Sequence, residues 1–337
     1  GSTPTCDHPA YTDKLTRPGG ARPPQPMIMG FIDQMRAKGH AVESICRVLR
    51  QEGCQIAART YRAWRRRSAS ARDTSDAVLL NVLHDLVGTP EGLYGRRKMT
   101  AWLRREGHQV GAGRVDRLMR VAGMNGVRRG RPVRTTVPAK DGCRAGDLLN
   151  RDFTAAAPNT KWVADFTYVR TWAGFVYVAF VLDCYSQRIL AWHAATAKTT
   201  PLVLTPLRIA LWDRDRHGHP VQPGELIAHS DAGSQYTSLR FAEHLAAEGI
   251  AASIGTVADA YDNALMECVI GLYKTECITT TIFHNGPYKT IADVEYATAG
   301  WVEWYNNRRL HSSLAMTTPA EYETAYYAAL NRELAPT

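Results

Sequence analysis

The stretch Thr160-Lys161-Trp162-Val163-Ala164-Asp165-Phe166-Thr167-Tyr168-Val169-Arg170 decides the fold. Trp162, Val163, Ala164, Phe166, Tyr168 and Val169 make a nearly continuous apolar, β-favouring run, the pattern of a strand covered on both faces. Asp165 stands in the middle of it. An ionised carboxylate in such a strand is costly unless it is paired or bound to a cation. Metal binding is the favoured reading, and a structural partner is the alternative.

Working outward, Trp172-Ala173-Gly174 reads as a turn, Phe175–Leu182 as a strand, Asp183–Ser186 as a turn and Arg188–His193 as a third strand. Short loops between them predict an antiparallel meander. Thr200–Arg214 reads as a helix with Leu202, Val203, Leu207 and Leu211 inward. Glu225–Ala228 is a short apolar strand that delivers His229-Ser230-Asp231-Ala232-Gly233-Ser234-Gln235-Tyr236, so Asp231 is expected at a strand's end, with Gly233 allowing a tight exit. A helix at Leu239–Glu248, a strand at Ile250–Gly255, a helix carrying Glu267 and a last amphipathic helix at Ile291–Asn306 complete the order. The class is α/β: a mixed five-stranded sheet flanked by helices.

In the Glu267 helix, Leu265, Cys268, Val269 and Leu272 fall at helical spacing and are expected inward, with Cys268 in the core. At roughly 100° per residue Glu267 points away from that stripe, and Asn263, Gly271 and Lys274 share its face. The plain alternative is a solvated helix face. Gly271 costs about 1 kcal/mol in a helix interior and leaves room one turn from Glu267. Asp183 is expected to be structural, and Asp259 and Asp262 to be helix caps. His229 reads equally as a buried, bonded imidazole or as a contact. Trp301, Trp304 and Tyr305 read as core.

Asp165, Asp231 and Glu267, the last two separated by 35 residues, resemble the DDE motif of transposases and retroviral integrases. The phrases WVADFTYVRT, HSDAGSQYTS, DAYDNALMECVIGLYKTE and WVEWYNNRRLHSSL, in this order, resemble the second-reading-frame product of the insertion sequence 3 family. The likeness runs from about residue 27 to 327. It implies an RNase H-like catalytic core that cuts and joins DNA strands with two Mg2+ ions, Mn2+ substituting. In that chemistry Asp165 would bridge both ions, with Asp231 and Glu267 each completing one site. Gln235, Tyr236, Asn263, Lys274, Arg308 and Arg309 are the expected DNA contacts of the core. Two departures from the family pattern stand at Ala232 and Ile270. A catalytically inactive or domesticated DNA-binding protein is the alternative.

The net charge of +9 is unevenly placed. Residues 1–150 hold 27 Lys and Arg against 13 Asp and Glu; residues 151–337 hold 14 against 19. The basic half suits a polyanion. Residues 1–26 read as a flexible lead, 27–67 as a helix-turn-helix, 74–126 as a second helical DNA-binding domain, 127–159 as a basic linker and 160–327 as the catalytic core. In the first helical domain Met27–Ala37, Ala41–Gln51 and Ile56–Arg67 are the helices, the third presenting Arg59, Arg62 and Arg66. A bundle with a solvated basic face is its alternative. Ser68–Asp73 reads as a linker, with Ser75 capping a helix from Asp76 to Val87. Tyr94–Glu106 and Gly113–Ala122 follow, the latter with a ridge of Arg114, Arg117 and Arg120. Arg129 and Arg131 in the linker are expected to track phosphates, a purely solvated tether being the alternative.

Seven scattered cysteines form no C-x-x-C pair and suit reduced thiols in a cytosolic protein. No apolar run is long enough to span a membrane, no signal peptide is legible, and Gly1-Ser2 reads as a trimmed start. The expected partners are double-stranded DNA at element ends and target, further copies of the chain on DNA, and the upstream-frame product that family members fuse to. The expected place is the bacterial cytoplasm, on the nucleoid.

Overall fold

The computed structural model describes residues 23–128, 154–230, 236, 238–254 and 264–334. The chain divides into two compact units, Gly1–Ala77 and Val78–Thr337. In the first, α1 (Gln25–Ala37), α2 (Val42–Gln51) and α3 (Ala58–Arg66) enclose Ile28, Ile32, Ile45, Leu49, Ile56 and Tyr61. Gly39 and Gly53 follow the ends of α1 and α2 with φ of 90° and 87°, the left-handed region that a side chain resists. The Tyr61 hydroxyl donates to Asp33 and accepts from Arg36 at 3.0 Å, fixing α3 to α1.

Helix α4 runs from Ala71 to Asp85, five residues earlier than the expected start at Asp76. The reason is a cap the pattern did not reveal. Asp73 N–H donates to Ser70 Oγ and Ser70 N–H to Asp73 Oδ2, each at 3.1 Å, a reciprocal box that satisfies the first-turn donors.

In the second unit, the 3-10 turn Pro90–Leu93, α5 (Arg96–Arg105) and α6 (Ala112–Val121) follow. Leu83, Tyr94, Met99, Leu103, Val115 and Leu118 belong to one hydrophobic core with Val163, Phe180, Tyr273, Trp301 and Trp304. The Tyr94 hydroxyl accepts from Leu310 N–H at 3.0 Å, Trp304 Nε1 donates to Glu91 at 2.9 Å, and Arg105 pairs with Glu321. This helical segment is therefore packed onto the sheet's own helices, which its sequence pattern did not announce.

The sheet comprises β1 (Lys161–Thr171), β2 (Gly174–Asp183), β3 (Ile189–Ala195), β4 (Ile227–Ser230) and β5 (Ala251–Ile254), in the order β3-β2-β1-β4-β5. Strands β1 to β3 are antiparallel neighbours; β4 and β5 run parallel to β1. This is the expected mixed five-stranded sheet. One face packs Trp162, Ala179, Val181 and Ala191 against α7 (Thr200–Arg216) and α8 (Leu239–Ala247). The other packs Val163, Val169, Phe180 and Leu182 against α9 (Ala264–Leu272) and α10 (Ile291–Asn307).

Two features differ from expectation. Helix α9 buries Met266 and Val269, and continues into a π-helical turn, Tyr273–Ile278, that buries Tyr273 and Cys277. Cys268, expected in the core, is exposed. Leu265 and Met266 are both apolar, so periodicity alone did not fix which of them starts the inward stripe. A further helix, α11 (Pro319–Leu334), also follows the one expected to be last. It is held by a polar anchor: Glu323, 3% exposed, pairs with Arg214 and Arg188 and accepts from Ser186 Oγ at 2.9 Å.

Candidate active site

Strand β1 positions Asp165 by register. Asp165 lies opposite Phe180 of β2, and Ala164, just before it, pairs with Ser230, the last residue of β4. Asp231 follows Ser230 in sequence, so the chain leaves β4 beside the start of the Asp165 segment; Asp231 itself lies outside the described residues. Asp165 is half-buried, and its Oδ1 accepts from Phe166 N–H at 2.7 Å. Helix α9 packs against β1 and carries Glu267 exposed in its first turn.

Lys274 is in the π-helical turn beyond Glu267 and is half-buried. Its ammonium lies 4.8 Å from the centroid of the Tyr168 ring. Burial lowers its pKa, and the negative charge of Asp165 opposes that shift. Lys274 and Asp165 therefore sense each other's charge. Among the described residues no three His, Cys, Asp or Glu side chains gather into a metal site.

The expected DNA contacts divide. Arg59, Arg62 and Arg66 are exposed on α3, Arg62 pairing with Glu43. On α6, Arg120 is exposed and pairs with Asp116, while Arg114 and Arg117 are half-buried. Arg308 is exposed and pairs with Glu303 at 3.2 Å. Arg309 requires correction: it is 3% exposed and reaches Glu276 through Nε at 2.9 Å and through a terminal nitrogen at 2.6 Å. That carboxylate and the rings of Trp304 and Tyr305 enclose it, so no face is left for a phosphate. Tyr236 likewise packs its ring between Phe166 and Phe241 at 2% exposure. His229 is buried and bonded to Ser253 Oγ at 2.8 Å. Gln235, Asn263, Arg129, Arg131 and Ala232 lie outside the described residues.

Glu276 is the partner sequence reasoning missed. Its signal was present: it lies nine residues beyond Glu267, on a helix facing the Asn306–Arg309 segment, and a buried arginine requires an acid.

The integrase core domain family matches residues 155–260 and, in a second part, 248–319; an HTH-like domain family matches 78–132. A transposase assigned to insertion sequence element IS986/IS6110 of Mycobacterium tuberculosis is 45% identical over 280 residues, covering 83% of this chain and 99% of the relative. The transposase of insertion sequence element IS629 from Shigella sonnei is 41% identical over 311 residues, 91% of this chain and 99% of the relative. The chain belongs to the insertion sequence 3 family of transposases. It is a DNA transposase of the polynucleotidyl-transferase type. Among solved structures, the HTLV-2 integrase catalytic core domain in complex with magnesium superposes with a TM-score of 0.38 or 0.37 at 16% identity, covering 50% of this chain and 98% of that one. No helix among the described residues is long and apolar enough to cross a membrane.

Proposed function

We propose that this transposase cuts and joins DNA strands at Asp165, Asp231 and Glu267, with magnesium held by their carboxylates. The observation that carries the reading is the β1–β4 register, in which Ala164 pairs with Ser230, the last residue of β4; Asp165 and Asp231 are the residues that follow these two in sequence. The donor chemistry fits: carboxylate oxygens are the hard ligands that magnesium takes, and manganese accepts the same set. Two divalent ions at such a site supply a lowered pKa for the attacking water or 3′-hydroxyl and charge neutralisation at the leaving oxygen.

The rest falls to the chain's own side chains. Asp165, fixed in a central strand with one oxygen held by Phe166 N–H, gives the site a rigid reference point. The Lys274 ammonium, held against Tyr168, provides a point charge for a phosphate beside the scissile one. The segments 27–67 and 74–126 hold duplex DNA through the exposed arginines of α3 and through Arg120, and the core at 160–327 does the chemistry. The acting species is an oligomer on DNA, joined to the upstream-frame product where that is made.

The test is cleavage of labelled element ends with magnesium. Asp165→Asn and Glu267→Gln should each abolish cleavage while leaving DNA binding intact. Lys274→Ala should weaken DNA binding and slow strand transfer. Cleavage that persists in Asp165→Asn would exclude this assignment.

A further inference from the structure

Beyond the catalytic carboxylates, one face of the β1–β2 hairpin carries an alternation of aromatic rings and cations, of which the chemistry above uses only Lys274 with Tyr168. Tyr168 pairs with Tyr177 across the hairpin and Arg170 with Phe175, so these four, with Phe166, share one face. Tyr168 and Phe175 meet edge to face at 5.3 Å and are 41% and 49% exposed. Trp172, in the connecting turn, is 73% exposed. Three lysines from other parts of the chain come to these rings. Lys198 is 5.1 Å from the Tyr177 ring centroid and 5.9 Å from that of Phe166, Lys274 is 4.8 Å from Tyr168, and Lys289 is 5.6 Å from Trp172.

We infer that this face is a binding track for a few unpaired nucleotides of the DNA strand leaving the scissile phosphate. The inference rests on the reading of Asp165 as catalytic. Tyr168 lies three residues along the strand from Asp165, an odd step that puts the two side chains on opposite faces, and the turn begins seven residues along, about 10 and 23 Å away. Lys274, from the turn after the helix packed on the Asp165 face, reaches the Tyr168 ring and joins the two. Exposed aromatic rings are costly to leave in water, and the faces of bases that fit them are available only where a strand is unpaired, because a duplex hides its faces in its own stack. The cations fix the choice of occupant. Lys198, Lys289 and Arg170 are exposed, and with Lys274 they line the rings on a core half whose overall balance is acidic. The Asp293 carboxylate accepts from the backbone N–H groups of Lys289 and Thr290 and so caps α10. Rings for bases interleaved with ammonium groups for phosphates is the arrangement that holds single strands without reading sequence.

The test uses the full chain in EDTA, so that no strand is cut, with a labelled blunt duplex and the same duplex carrying a short thymidine tail. The tail should tighten wild-type binding roughly fivefold to a hundredfold. Trp172→Ala combined with Phe175→Ala should remove that gain and leave blunt-duplex affinity unchanged, whereas Trp172→Phe with Phe175→Tyr should retain it. A tail that gives wild type no gain overturns the track, as does a gain that survives both alanines. A change in sedimentation of the free protein caused by the alanines, with the tail gain intact, would instead assign the face to a protein partner. Cleavage of element ends with magnesium separates the two levels. Cleavage without a tail effect sinks the track alone; a tail effect without Asp165-dependent cleavage sinks the catalytic reading and leaves the track.

Discussion

At the scale of single residues, two acids in one helical segment have opposite fates. Glu267 is exposed in the first turn of α9, while Glu276 is buried and closed by Arg309 and the Trp301 indole. Both are Glu in a polar-apolar mixture, and sequence spacing to Asp231 singled out the first. Nothing local singles out the second, because its partner, Arg309, is 33 residues away and reads from sequence as a DNA contact. Glu276→Gln should destabilise the core by about 3–5 kcal/mol, since it strands a buried guanidinium. The joint change Glu276→Met with Arg309→Leu should cost clearly less, and urea titration of the four-protein cycle checks this. Lys274 gives a second residue-scale outcome. The negative charge of Asp165 holds its pKa up against burial. In Asp165→Asn that support is gone, so Lys274 should lose its proton at lower pH than in wild type. The pH dependence of amine labelling at Lys274, followed by mass spectrometry, measures it; an unshifted profile would show that the two groups do not couple.

At the scale of elements, the sheet was legible because its strands carry period-two and continuous apolar patterns bounded by turns, and β1, Lys161–Thr171, lies within one residue at each end of the stretch Thr160–Arg170 that reads as a strand. What was not legible depends on distant partners. The π-helical turn after α9 leaves no mark in an apolar count, and α11 is anchored through Glu323 rather than through a plain apolar stripe. Arg214 in α7, 2% exposed, is the centre of that anchor, with Glu323 and, at 3.8 Å, Asp183. Asp183 also accepts from Asn159, Tyr185 and Ser186 backbone N–H groups, so it is already committed; burial pushes its pKa up. Glu323→Ala should therefore leave Arg214 short of its main counter-charge. A loss on the order of 3–5 kcal/mol is expected, with α11 released from α7. Amide hydrogen exchange should show fast exchange spreading over 319–334 in this variant; protection equal to wild type would remove Glu323 as the anchor.

At the scale of the second unit, one core joins the helical segment after Val78 to the sheet, so both should melt in one transition. Their junction contains a lysine in an adverse place. Lys98 on α5 lies 5.7 Å from the Tyr94 ring centroid. Burial, with the charge of Arg309 adding to it and that of Glu276 opposing it, pushes its pKa down to about 7. The sign of the consequence is fixed by linkage. Between about pH 7 and 10.5 the unfolded chain holds a proton on this amine that the folded chain has released, so this group makes stability rise with pH across that window. Below pH 7 both states are protonated and the folded state carries the full cost of a buried ammonium. Lys98→Met, which keeps the length and drops the charge, should therefore raise the melting temperature most at pH 6, by an amount equivalent to a few kcal/mol, roughly. The gain should shrink steadily as pH rises and be nearly gone by about pH 10. Calorimetry of wild type and variant at pH 6, 8 and 10 decides it. A gain of equal size at all three would mean that the methionine acts by packing alone, and a loss at pH 6 would mean that the Lys98 ammonium is stabilised at the junction by Tyr94 and Glu276 more than burial costs it.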